Sequence, residues 1–253
     1  MKKKRFFLFF LFFVFSTSSP FSFGVLDKEV SELLEKLKKR GVSEGFLNST
    51  FYDPRFGIDQ EIERILKNKK RKNGYDFIFT EESVNRGKNF LLGYKPIRGA
   101  REKFGIPEEI IVSILRIETD LGLFLGLHNA PNAYLTICLK SGSLKRRMAS
   151  LKEFSIFLKY CAEKKVDPFL IKSSWAGAIG LPQFMPSSFV YGIDADGDGT
   201  VNLFSFTDAA WSIANYLHMA GWKKGREEKT LFFYNRSKSY VSAVIRYAKL
   251  ISK

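Results

Sequence analysis

Cysteine is scarce in this chain of 253 residues, which contains only Cys138 and Cys161. Two cysteines cannot build the disulfide framework of small secreted proteins, although one disulfide could form between them in an oxidising compartment. A chain of this length can bury a sizeable core without such bonds. We therefore expect two buried free thiols.

Internal repeats, long low-complexity linkers and the apolar–polar alternation typical of strands are also largely absent from the sequence. These absences, together with the length, favour one or two mainly α-helical domains. Apolar periodicity, caps and stop residues predict helices at Leu26–Arg40 (ended by Gly41), Thr80 to about Lys103, a segment with Pro107 at its first helical position, Leu151–Lys165, Thr207–Gly221 and Ser239–Ile251.

Acidic residues are absent before Asp27, and the chain opens with KKKR followed by the apolar run FFLFFLFFVF. A positive start, an apolar run and a small, polar segment are the layout of a secretory signal peptide. The run is too short to span a bilayer comfortably, so we predict a signal peptide over 1–24 with cleavage near Gly24. An uncleaved leader would instead attach the protein to a membrane. No cysteine lies near this site, which argues against a lipid-anchored N-terminus.

Positive charge dominates the chain, whose formal net charge is +15. Such a surface predicts a polyanionic partner, which could be nucleic acid, anionic lipid or an acidic cell-wall polymer. Charge alone does not choose among them, but export argues against nucleic acid.

An acidic residue interrupts the apolar stripe of the segment ILRIETDLG. Glu118 follows Ile111 by seven residues and Ile114 by four, so helical periodicity puts it on the apolar face. Arg116 and Asp120 point to other faces. Burial would raise the pKa of Glu118, as a general acid near neutral pH requires. The alternative is a structural glutamate paired with an arginine or a backbone amide. Asp120 is only two residues on and so points to a different helix face, which does not support the usual arrangement of two catalytic carboxylates.

A second unusual segment, SSWAGAIGLPQFMPSSF, is apolar and aromatic but is interrupted by glycine and proline. Trp175, Phe184 and Met185 offer large surfaces, while Ser174 and Gln183 offer hydrogen-bonding groups. Such a loop suits the wall of a sugar-binding cleft, because aromatic rings cover sugar faces and polar groups bond hydroxyls. A buried irregular connection is the alternative.

An acidic loop, DADGDGTVN, has the first half of an EF-hand calcium loop. Asp194, Asp196 and Asp198 occupy positions one, three and five. Thr200 would supply its carbonyl group at position seven. Position twelve is a serine rather than the usual glutamate, so Asp208 would close a longer loop. We predict a structural calcium that braces this loop; a turn of aspartate caps is the alternative.

Together these segments resemble the membrane-bound lytic transglycosylase B family, enzymes that cut peptidoglycan glycan strands. PEEIIVSILRIETDLG resembles the family's catalytic helix, and SSWAGAIGLPQFMPSSF resembles its most specific motif. DADGDGTVNLF with DAAWSIANYLHMAGW is similar to the calcium loop and the helix after it, and FFYNRSKSY to a late segment of the cleft. The resemblance runs from about Leu26 to the end of the chain. It implies a mainly α fold with a lysozyme-like catalytic core over 86–253, an added N-terminal helical region over 25–85 and an EF-hand-like calcium loop.

The resemblance also implies that Glu118 is the only catalytic acid/base. It would protonate the glycosidic oxygen between N-acetylmuramic acid and N-acetylglucosamine. It would then take the proton of the muramoyl 6-hydroxyl group, which closes a 1,6-anhydro ring. Substrate contacts would come from Ser174, Gln183, Phe184, Met185, Tyr234, Asn235 and Tyr240, and less directly from Tyr94 and Arg147. Calcium ligands would be Asp194, Asp196, Asp198, the Thr200 carbonyl group and Asp208.

The implied partner is peptidoglycan, bound by an exported, periplasmic or envelope-associated monomer that needs no organic cofactor. Leu121 stands where the family commonly has an aromatic residue, and one residue is missing between Phe189 and Asp194, which leaves the exact substrate preference open. Two other classes remain. One is a non-catalytic wall-binding or scaffolding protein that kept the cleft, and the other is a hydrolase that produces reducing ends.

Overall fold

The computed structural model describes residues 26–68 and 74–253, and helices make up most of these ranges. The prediction of a mainly α chain is confirmed. The predicted signal peptide lies outside the described residues. The helices are α1 Leu26–Lys39, α2 Glu44–Phe51, α3 Gln60–Lys67, α4 Glu81–Gly93, α5 Pro96–Phe104, α6 Glu108–Thr119, α7 Ala130–Lys140, α8 Leu144–Lys164, α9 Phe206–Met219, α10 Glu227–Tyr234 and α11 Lys238–Ile251. Short 3₁₀ turns cover Asp76–Phe79, Pro168–Leu170 and Pro186–Tyr191, and the strands are β1 His128–Asn129 and β2 Lys172–Ser173.

Helix α6 forms the centre of the larger core. It begins with two glutamates, which favour the positive end of a helix, and continues with apolar residues on nearly every face. Ile111, Ile114 and Leu115 are fully buried, and α4, α5, α9 and α11 pack around them. Burial of each such side chain contributes roughly 1.5–3 kcal/mol. A helix held this firmly can keep a carboxylate on its inner side.

The N-terminal helices belong to a second, smaller core together with α7 and α8. Leu37 of α1 and Leu47 of α2 are buried in the same cluster as Tyr134 of α7. Cys138 and Cys161 lie in this core too, as buried free thiols. The expectation of free thiols is confirmed.

The structure divides the predicted helix from Thr80 to Lys103 into two. Helix α4 ends at Gly93, Tyr94 leaves the helical conformation (φ −99°, ψ 82°), and Pro96 begins α5. Proline has no amide hydrogen, and its ring clashes with the preceding helical turn. The prediction of one continuous helix was therefore wrong.

Other helix ends differ from the predictions in smaller ways. Pro107 is the N-cap of α6 rather than its first helical residue, because its ψ of 136° is extended. The first helical residue is Glu108. Helix α8 begins at Leu144 rather than Leu151, and the Ser143 hydroxyl caps it. The predictions for α1, α9 and α11 hold to within two residues at each end. The helices α2, α3, α7 and α10 were not predicted; α7 is buried on most sides and so lacks a one-sided stripe.

The glycine-rich loop is tied to both cores by backbone contacts. Strand β2 pairs antiparallel with β1, and isolated bridges then join Ser173 to Ile179 and Ile179 to Phe184. The Thr119 hydroxyl donates to the Leu181 carbonyl oxygen (3.4 Å). These contacts hold the loop against the C-terminal end of α6.

None of the described helices combines the length and the apolar composition needed to cross a bilayer. The division into regions 25–85 and 86–253 stays a prediction.

Candidate active site

Glu118 lies in the last turn of α6, next to the residues that fill the larger core. Its side chain stays partly accessible, but the surrounding protein removes most of its hydration. Burial is the largest cause of its pKa being raised from 4.5 to about 7. Among the described residues, no second carboxylate contributes to this rise. The prediction of an acid with a raised pKa on the inner face of α6 is confirmed.

One hydrogen bond opposes the effect of burial on Glu118. The Tyr240 hydroxyl donates to Glu118 Oε1 at 2.7 Å, which stabilises the ionised form and lowers the pKa. Tyr240 is buried in α11, and its ring lies parallel to that of Tyr234 with 6.3 Å between the centroids. The Tyr234 hydroxyl in turn donates to the Pro182 carbonyl oxygen at 2.6 Å. The donor to Glu118 is therefore positioned by packing between α11, α10 and the glycine-rich loop.

Tyr75 is a neighbour of this site that the sequence motifs do not predict. Its ring meets that of Tyr240 edge-on, with 6.0 Å between the centroids. Burial, and after it the charge of Glu118, raises the pKa of Tyr75. The signal that could have found it is an aromatic residue directly after a glycine in a stretch without helical periodicity.

The chain turns sharply after α6, and an ion-pair cluster holds the turn. Asp120 and Leu121 both have left-handed backbone conformations, with φ of 53° and 55°, which are uncommon for residues other than glycine. Asp120 Oδ1 lies 2.8 Å from Nη1 of the buried Arg116 and 3.0 Å from Nη1 of Arg86. The arginine that could have paired with Glu118 thus pairs with Asp120. Among the described residues, Glu118 forms no ion pair, so the alternative of a structural glutamate paired with an arginine is wrong.

Gln183 occupies a strained turn of the glycine-rich loop, with φ of 48°. Its backbone amide and its side-chain Nε2 both donate to the Gly180 carbonyl oxygen, at 3.0 and 2.9 Å. The turn buries Phe184, whose ring lies 5.9 Å from that of Tyr234. Met185 lines a groove of about 590 Å³ that Tyr234 also lines. The structure thus connects these residues, through Tyr234, to the hydrogen bond of Glu118.

Ser174 and Asn235 stabilise local turns at the edges of this group. The Ser174 hydroxyl oxygen accepts from the amides of Ala176 and Ala178, at 3.3 and 3.1 Å. Its own O–H can still donate to a ligand. Asn235 ends α10 directly after Tyr234, in an extended conformation.

The structure does not place Tyr94 and Arg147 with these residues. The Tyr94 hydroxyl hydrogen-bonds the Thr207 hydroxyl at 2.6 Å, and its ring packs on Phe90. Arg147 lines a separate groove between α1 and α8. Its neighbour Arg146 instead lines the groove of Met185 and Tyr234, with its guanidinium 5.7 Å from the Trp175 ring centroid.

Three of the predicted calcium ligands converge. Carboxylate oxygens of Asp194, Asp196 and Asp208 lie within 4.8 Å of one another. Asp208 is fully buried, and both of its oxygens accept backbone amides. Asp198 is not in this group, since its Oδ1 accepts from the amide and hydroxyl of Thr200 at 2.8 and 2.6 Å.

Comparisons with known proteins show the family and the fold of this chain. The transglycosylase SLT domain family matches residues 26–231. The membrane-bound lytic murein transglycosylase B of Escherichia coli (strain K12) is 38% identical over 149 residues, which cover 58% of this chain and only 40% of that relative. The crystal structure of the soluble lytic transglycosylase SltB1 from Pseudomonas aeruginosa has a TM-score of 0.78 at 25% identity, covering 88% of this chain and 98% of that one. The Escherichia coli lytic transglycosylase Slt35 in complex with calcium shares the fold at 22% identity, with a TM-score of 0.76 over 88% of this chain and 92% of that one. The resemblance inferred from the motifs is confirmed, and the chain belongs to the transglycosylase SLT domain family.

Proposed function

We propose that this protein is a lytic transglycosylase that cleaves peptidoglycan strands between N-acetylmuramic acid and N-acetylglucosamine. The observation that carries the proposal is the single carboxyl group of Glu118. Its pKa of about 7 allows the same group to donate and to accept a proton near neutral pH. Family membership supports this reaction class.

In the proposed mechanism, Glu118 acts twice. Protonated Glu118 first donates its proton to the glycosidic oxygen while the bond from that oxygen to the anomeric carbon breaks. The resulting carboxylate, which accepts the Tyr240 hydrogen bond, then takes the proton of the muramoyl 6-hydroxyl group. That oxygen attacks the anomeric carbon, the 1,6-anhydro ring closes, and Glu118 is protonated again. No water is consumed, so the second carboxylate that glycoside hydrolases use is not required.

We assign the cleft wall to the residues that connect to Glu118. Tyr240 orients the acid, and Tyr234 and Phe184 support Tyr240 by ring packing. Gln183, Met185, Ser174 and Asn235 would contact the sugar. For Tyr94 and Arg147, a role in substrate binding is supported by the family resemblance alone. Arg146 is the better candidate for binding an anionic part of the substrate, because it lines the groove of Met185 and Tyr234.

We further propose that Asp194, Asp196 and Asp208 hold a structural calcium ion, with Asp198 and Thr200 as additional ligands after the loop rearranges. Three convergent carboxylates fit a hard divalent cation, and repel one another without it. A buried Asp208 fixed by two backbone amides makes the site rigid. The ion would supply bracing of the loop rather than chemistry.

We expect the protein to act at the cell envelope after export. The sequence of the leader supports this location, and the net positive charge of the chain favours contact with an acidic wall polymer. The monomeric state stays a prediction.

Product analysis after incubation with purified peptidoglycan sacculi tests the proposal. We expect soluble muropeptides with 1,6-anhydro ends, which are lighter by one water than hydrolysis products, and no release by Glu118→Gln. Reducing ends would identify a hydrolase instead. Tight binding without any soluble product would identify a wall-binding protein that kept the cleft. Normal release by Glu118→Gln would refute the mechanism.

A further inference from the structure

Helices α10 and α11 form a groove on the side away from Glu118. Tyr240 faces the acid, and Lys249 follows it by nine residues, which is half a turn out of phase on an α-helix. Lys249 and its neighbours line a groove of about 1110 Å³ between the two helices. Phe232 lines this groove, whereas Phe233 and Tyr234 line the groove next to Met185. The helical pair thus separates two surfaces.

The groove carries an excess of positive charge. Six basic residues line it against two acidic ones, Glu227 and Glu228. Backbone hydrogen bonds from Glu227 itself and from Gly225 lower the pKa of Glu227, so this carboxylate is already bound to the backbone at the start of α10. Within the described part of the chain, none of the six basic side chains forms an ion pair. The basic residues are Arg226, Lys229, Lys238, Arg246, Lys249 and Lys253.

Arg246 and Lys249 are neighbouring basic residues on one face of α11. They are three residues apart in the helix, and Lys253 lines the same groove just after α11 ends at Ile251. Like charges at this spacing repel and destabilise a helix slightly. An anionic ligand would relieve this repulsion.

The floor of the groove is apolar. Phe232, Val241, Ile245 and Leu250 contribute to it, and Phe232 is 40% exposed. A concave floor of this kind fits a chain-like ligand that carries both apolar groups and carboxylates. A flat membrane surface would reach the basic rim but leave the floor uncovered.

We propose that this groove binds a carboxylate-bearing strand of peptidoglycan without cleaving it. The inference rests on the proposed function and extends it by a second site for the same polymer. Such a site would hold the enzyme on the wall while the cleft acts on another segment.

The test is co-sedimentation with purified sacculi, carried out in the Glu118→Gln background so that the wall stays intact. Lys249→Glu with Lys253→Glu should weaken binding about five- to tenfold, because each reversal replaces an attraction by a repulsion. The matched control is Lys39→Glu with Lys164→Glu, which changes the net charge equally at exposed positions outside the groove. This control should bind nearly as well as the parent protein.

Equal binding by the groove variant and the control variant would overturn the proposal. Binding of the parent to anionic phospholipid vesicles through these lysines, with unchanged wall binding, would also overturn it and assign the groove to lipid. With Glu118 intact, the groove variant should cleave a short soluble glycan fragment at the parent rate. If the parent protein yields no anhydro product while the groove variant still loses wall binding, the proposed function fails and the groove proposal stands.

Discussion

Replacing Glu118 by glutamine should stabilise the folded protein, and the gain should depend on pH. The pKa of Glu118 is about 7 in the folded protein against an ordinary value of 4.5. The folded state therefore binds more protons than the unfolded state between these two values, and stability falls as the pH rises through this window. The difference corresponds to roughly 3 kcal/mol at most, and to about 2 kcal/mol once the partial exposure of the side chain is considered.

Glutamine has nearly the same shape as a protonated glutamic acid, and its Oε1 can still accept the Tyr240 hydrogen bond. Below pH ~4.5, where glutamic acid is protonated in both states, we expect Glu118→Gln and the parent protein to be equally stable. Toward pH ~8 the variant should become more stable by about 2 kcal/mol. Urea unfolding followed by tryptophan fluorescence across this range measures the difference directly.

The control for this experiment is Glu102→Gln, which removes the same charge from an exposed position of α5. Its effect on the free energy of unfolding should be small, because the side chain is exposed. A constant difference between Glu118→Gln and the parent protein at all pH values would refute the reasoning. So would a variant that loses stability relative to the parent as the pH rises.

Three further predictions follow from contacts described above. Tyr240→Phe removes the hydrogen bond that lowers the pKa of Glu118, so the alkaline limb of the pH–rate profile for product release should move up by roughly one pH unit. Tyr247→Phe changes another buried tyrosine of α11 and should leave this limb in place. An alkaline limb at the same pH in both variants would contradict the assignment. Calcium chelation should lower the melting temperature by several degrees, and Asp208→Asn should lose most of this calcium response; an unchanged melting curve would count against a structural ion. Gly177→Ala should destabilise the protein by about 2 kcal/mol or more in urea unfolding. Gly177 has φ of +89°, and an added Cβ would overlap the ring of Tyr134, whose hydroxyl donates to the Gly177 carbonyl oxygen.

The position of Glu118, the proposed catalytic acid, could be predicted from the sequence because local periodicity determines it. Glu118 stands at helical spacing from Ile111 and Ile114, and no long-range contact was needed to put it on the inner face of α6. The rise of its pKa follows from the same placement. Local signals also predicted α1, α9 and α11, because each helix has an apolar stripe that faces a single core, the smaller one for α1 and the larger one for α9 and α11.

Residues that depend on long-range packing could not be predicted in this way. Tyr75 lies near Glu118 because both residues contact Tyr240 of α11. Arg146 and Arg147 are adjacent in sequence, so only the orientation of α8 decides which of them lines the groove of Met185 and Tyr234. The pairing of Arg116 with Asp120 likewise depends on the left-handed turn after α6.

The location of the two thiols has a consequence for how this protein can be studied. Burial raises the pKa of Cys138 to about 11 and that of Cys161 to about 12, so neither reacts readily at neutral pH while the protein stays closed. Both belong to the smaller core, whereas Trp211 and Trp222 pack against the larger one. The third tryptophan, Trp175, packs against Ala133 and Ile137 of α7 and would be replaced by phenylalanine for this purpose. The rate of thiol labelling then reports the opening of the smaller core, and tryptophan fluorescence reports that of the larger core. Measured side by side, the two signals reveal whether the two cores open together or in turn.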